Sequence, residues 1–128
     1  MSKLLINEPP LQVLPSLAKA IGINEAIIIQ QIHYWIQQKK HIHDGRYWTY
    51  NTYKEWLKQF EFLSESTLKR AIRKLEDLGL LMSNNYSKSP FDHTKWYTID
   101  YETLNNWTND EVNLTPSEKV NLTPSLYT

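Results

Sequence analysis

The 128 residues hold 14 Lys and Arg, 14 Asp and Glu, and no cysteine. That length supports one domain with its own core, and the missing cysteine excludes disulfides, zinc–thiolate centres and thiol catalysis. No stretch is apolar enough to span a membrane and the N-terminus has no signal-peptide pattern, so a cytoplasmic, cofactor-free protein is expected.

The neutral total hides an asymmetry. Residues 1–91 carry 12 Lys and Arg against 8 Asp and Glu, whereas residues 92–128 carry 2 against 6. The basic part is the part patterned to fold, which favours a polyanionic partner.

"LPSLAKAIG" predicts a short helix, with Pro15 in its first turn and Gly22 at its end. Asn24 is the expected cap of a second helix over 25–40, with Glu25 at its positive end and Lys39 and Lys40 at its negative end. Ile28, Ile29, Ile32, Trp35 and Ile36 form its core stripe. Ile27, Gln31 and Tyr34 form a second stripe, a candidate self-association surface giving a homodimer or higher oligomer. "HIHDG" reads as a turn and "RYWTYN" as a short strand.

Thr52 and Glu55 have capping-box spacing and open a helix over 53–60. Ser64 caps the next, Ser64–Leu78. "LLMSNNY" and "KWYTID" read as strands around the loop "SKSPFDHT", and "YETLNNW" as a closing helix. The expected fold class is α+β, mainly α with a small sheet. A helix pair with a short connection, followed by a hairpin, is the layout of a winged helix-turn-helix. The domain is drawn as 1–107. Residues 108–128 repeat "VNLTPS" twice and read as a flexible linker.

Ser64–Leu78 carries the chemistry. At about 100° per residue, Leu68, Ala71, Ile72, Leu75 and Leu78 share one sector, while Ser66, Arg70, Arg73 and Asp77 lie opposite. Lys69 and Lys74 sit at the flanks. A helix of this kind enters the major groove of double-stranded DNA, where an Arg fork reads guanine or clasps phosphate. Ser64, Ser66 and the first free amides suit a phosphate. In the wing formed by this loop and its flanks, Lys88, His93 and Lys95 would meet backbone. The alternative is a solvated face with pairs such as Arg73–Asp77.

Trp35, Trp48, Trp56 and Trp96 are expected in the core rather than as base-stacking platforms. His41 and His43, with Tyr50 and Lys54, match the spacing of rolling-circle nucleases. The run of strands such an enzyme needs is missing, so the histidines read as turn residues near phosphate. No Ser-His-Asp set, phosphate loop or carboxylate cluster stands out, so no enzyme is expected.

Four blocks, "LLINEPPLQVLPSLAKAIGINEAIIIQQIHYWI", "DGRYWTYNTYKEWLKQF", "SESTLKRAIRKLEDLGLL" and "TKWYTIDYETLN", resemble the N-terminal domain of phage and prophage replisome-organiser proteins of Gram-positive bacteria, related in design to DnaD-type primosomal proteins. The resemblance covers residues 4–107. It implies a winged-helix domain that helps start replication by recognising origin DNA, with Ser64–Leu78 as recognition helix and a tendency to self-associate. The linker also resembles theirs. In that family it leads to a second, DnaD-like domain absent from these residues, through which host replication proteins would be met. Two rivals share the expectation: a transcriptional regulator of the same fold, and an oligomerisation or docking module with no affinity for DNA.

Overall fold

The computed structural model describes residues 9–85 and 93–112. It is an α+β fold of five helices and one four-stranded antiparallel sheet. In chain order these are α1 (Pro15–Ile21), α2 (Ile23–Ile36), β1 (His41–His43), β2 (Arg46–Asn51), α3 (Tyr53–Gln59), α4 (Glu65–Asp77), β3 (Leu81–Asn84), β4 (Lys95–Ile99) and α5 (Tyr101–Val112). The sheet order is β1-β2-β4-β3. α5 runs past the boundary drawn at 107, and most of the linker lies outside the described residues.

α2 differs from its expected form at both ends. It begins at Ile23 with Gly22 as N-cap, so Asn24 lies inside the first turn and caps nothing. The cause is Gly22 itself: with φ 106° and ψ 149° it reverses the chain in one residue, which leaves no loop for Asn24 to occupy. At the other end the helix stops at Ile36, and Lys39 takes a left-handed φ of 55°. Lys39 and Lys40 therefore lie beyond the helix rather than at its negative end.

The segment expected to be only a turn forms β1. His41, Ile42 and His43 pair with Trp48, Tyr47 and Arg46. Asp44 and Gly45 both have positive φ, 53° and 74°, the geometry of a two-residue type I′ turn. Its right-handed twist matches the flanking strands and closes a tight hairpin.

α4 is the most sharply patterned helix. Leu68, Ala71, Ile72 and Leu75 are buried and pack toward α2, which contributes Ile28, Ile29 and Ile32. Ser64 caps it by accepting the Thr67 N–H at 3.2 Å. Leu80 N–H donates to Leu75 O at 3.0 Å and closes its C-terminus before the chain enters β3. Thr52 and Glu55 form the expected capping box at α3. Trp56, Phe60, Tyr97, Leu81 and Ile99 complete the core beneath the sheet.

Two of the four tryptophans expected in the core are not there. Trp48 and Trp56 are buried. Trp35 is 36% exposed, because its indole N–H is drawn outward to Gln59 Oε1 at 2.9 Å. Trp96 is half-buried on the sheet face opposite Tyr97.

Candidate nucleic-acid interface

The polar face of α4 presents Ser66, Lys69, Arg70, Arg73 and Lys74 to solvent. The pairing on this face differs from the pairs read from sequence. Lys69 pairs with Glu65 one turn back at 3.4 Å, and Lys74 meets Glu25 of α2 at 3.9 Å. Glu76 is turned away from the face and accepts the Ser83 hydroxyl. Arg73 does not pair with Asp77, and among the described residues neither Arg70 nor Arg73 has an ion-pair partner. The two guanidinium groups are left available.

Two predicted cations from separate elements converge. Tyr53 opens α3, and its ring lies under the Lys69 ammonium at 5.2 Å and the Lys95 ammonium at 5.5 Å. Lys95 also donates to the Tyr53 hydroxyl at 3.3 Å. A ring face attracts cations through its quadrupole, so Tyr53 steadies one lysine of α4 and one at the start of β4. Nothing in the sequence spacing marks Tyr53, because its role depends on two elements meeting it from different directions.

Ser64 and Ser66 are exposed beside the helix start, their hydroxyls 3.2 Å apart. Ser64 also donates to Thr67 Oγ1 at 2.9 Å, so its capping role occupies it locally. His93 is exposed. Lys88 lies outside the described residues.

Behind this face sits a buried tyrosine. Burial, then proximity to Tyr53 and Glu76, pushes the Tyr97 hydroxyl well above its ordinary range. It stays neutral and adds no charge to the site.

The second stripe of α2 is partly consumed. Ile27 packs against the core, and Gln31 donates to Gln59 Oε1 at 2.8 Å. Tyr34 remains open at 53% exposure. With Trp35, Phe62 and Pro10 it borders a groove of about 730 Å³. α5 meets α2 elsewhere, through Tyr101 hydroxyl and His33 Nδ1 at 2.7 Å.

Among the described residues no helix is long and apolar enough to cross a membrane, and no group of three or more His, Asp or Glu side chains could hold a metal ion. Comparison of the chain with family models, curated proteins and solved structures finds no match.

Proposed function

We propose that the chain is a winged-helix domain that binds double-stranded DNA sequence-specifically, in a phage or prophage replication initiation protein that recognises its origin. The observation that carries the reading is the pair of solvent-facing guanidinium groups of Arg70 and Arg73, without an ion-pair partner among the described residues and flanked by the Lys69 and Lys95 ammonium groups over Tyr53. Arg forks facing outward from a rigid helix are what base readout in a major groove requires. The element order supports it: α3 and α4 are joined by a short connection, and β3 and β4 form the antiparallel pair that a wing would join.

A transcriptional regulator would use the same helix. The resemblance of four sequence blocks to replisome organisers favours replication, and mapping the bound site to a replication origin or to a promoter separates the two. The docking-module reading draws on the exposed Tyr34 and Phe62 instead.

The test is titration of selected duplex DNA at stated salt concentrations. Arg70→Ala and Arg73→Ala leave stability within about 0.5 kcal/mol, as surface changes do. Each weakens binding by about 1–3 kcal/mol where the Arg makes a bidentate base contact, and relaxes specificity at that position. A folded double variant that binds as tightly as wild type removes the reading.

A further inference from the structure

The hairpin of β1 and β2 gathers Lys39, Lys40, His41, His43 and Arg46 against one carboxylate, Asp44. Strand alternation sends His41 and His43 to one face. The register sets Arg46 opposite His43 and Trp96 opposite Tyr50. Four rings meet there. Tyr50 and Trp96 lie 4.6 Å apart between centroids, and His41 lies 5.1 Å from Tyr50 and 5.2 Å from Trp96. His43 lies 5.0 Å from Trp96.

Trp48, opposite His41 on the same face, is buried and anchors the hairpin, its indole N–H donating to His43 O at 2.9 Å. Two residues along β2, Tyr50 is left 44% exposed. From Arg46 to Tyr50 the strip runs about 13 Å along β2. Lys39, Lys40 and Arg46 supply the hairpin's attraction for anions. Lys95 precedes Trp96 and reaches Tyr53 on the α4 side. Lys95 and Trp96 lie on opposite faces of the sheet, so a strand passing from α4 to the ring cluster would round the start of β4.

We propose that this sheet face binds single-stranded DNA where it leaves a duplex held at α4. Bases stack on Tyr50 and Trp96, and phosphates follow the hairpin cations. Stacking of this kind is sequence-tolerant, because every base offers a π face. The proposal rests on the duplex reading above. It commits to DNA because the strand continues from that duplex.

Fluorescence anisotropy with three labelled probes tests it: oligo-dT, a blunt cognate duplex, and the same duplex with a dT tail. The tailed duplex binds about tenfold tighter than the blunt one, within the range for one stacked base. Tyr50→Ala removes that gain and the oligo-dT binding but keeps blunt-duplex affinity, and Tyr50→Phe keeps all three. Should the alanine variant lose its circular dichroism, Tyr50→Leu retains bulk without the π face and makes the same comparison. A tail that adds nothing, or a folded Tyr50→Ala or Tyr50→Leu variant that keeps the gain, overturns the proposal. Equal binding of oligo-U overturns the assignment to DNA. The Arg70→Ala, Arg73→Ala pair keeps oligo-dT binding while losing the blunt duplex. If it keeps the blunt duplex as well, the duplex reading falls, and Tyr50-dependent oligo-dT binding then stands by itself.

Discussion

Lys69 of α4 and Lys95 of β4 hold their ammonium groups over one ring, that of Tyr53, at 5.2 and 5.5 Å. Two like charges on one small surface repel, and the ring's negative face offsets part of that cost. The arrangement keeps both cations forward instead of letting them swing apart.

A division of labour follows for duplex binding. Lys69→Ala and Lys95→Ala should each reduce the slope of log affinity against log salt by about one, the signature of a lost phosphate contact. Tyr53→Leu removes no charge. It should weaken affinity by loosening both lysines while leaving the slope nearly unchanged. Titrations of the three variants at several salt concentrations check this. An unchanged slope in both lysine variants means neither meets phosphate.

Much of α4 was legible in the sequence because its two faces differ so sharply: the apolar sector fell where Leu68, Ala71, Ile72 and Leu75 are buried. α2 was harder. Its apolar residues nearly surround it, so periodicity did not fix the orientation of Trp35, and Gln59, distant in sequence, decided it. β1 is hard to read from sequence because three residues with two histidines carry little strand signal, although Asp-Gly after an alternating run is a hairpin mark. The ring cluster and the Tyr53 seat depend on register between strands and helices, which no local pattern encodes.

Self-association should depend on Tyr34 rather than on the whole second stripe. Ile27 packs against the core, so changing it tests stability as much as assembly. Tyr34 is open and stands edge-on to Trp35, with centroids 5.1 Å apart. Exposed aromatic residues bordering a groove are common interface anchors. Tyr34→Glu should shift sedimentation toward monomer and leave the circular dichroism spectrum intact. A monomeric wild type at high concentration removes the idea.

Asp100 gives the fold an acid-sensitive cap. It accepts the Thr103 N–H at 3.0 Å at the start of α5. Hydrogen bonds from the backbone and side chain of Thr103, then the Arg46 charge, hold its carboxyl below the ordinary value of 3.8. A depressed folded-state value stabilises the fold above the unfolded value and loses that contribution as pH falls through the folded one. Asp100→Ala should lower the thermal midpoint at neutral pH. The difference from wild type should narrow as pH falls below the ordinary carboxylate range. A difference that persists at low pH would assign the effect to packing instead.

Gly22 should tolerate no side chain. Its φ of 106° and ψ of 149° lie in a region that is essentially glycine's alone, and holding another residue there costs about 1–3 kcal/mol. A Cβ at Gly22 would also strike the Glu25 carboxylate and come within 3.4 Å of Lys74 Nζ, disturbing the pair that ties α2 to α4. Gly22→Ala should therefore lower the thermal midpoint by several degrees, on the order of 1 kcal/mol in a domain this size. The two causes separate in a Glu25→Ala background. The carboxylate is the far end of a flexible side chain and can swing away, whereas the backbone of residue 22 cannot change without moving α1 off α2. Most of the loss should persist when Glu25 is already alanine. If it disappears there, the clash with Glu25 is the whole effect, and the one-residue link between α1 and α2 is not strained by a side chain.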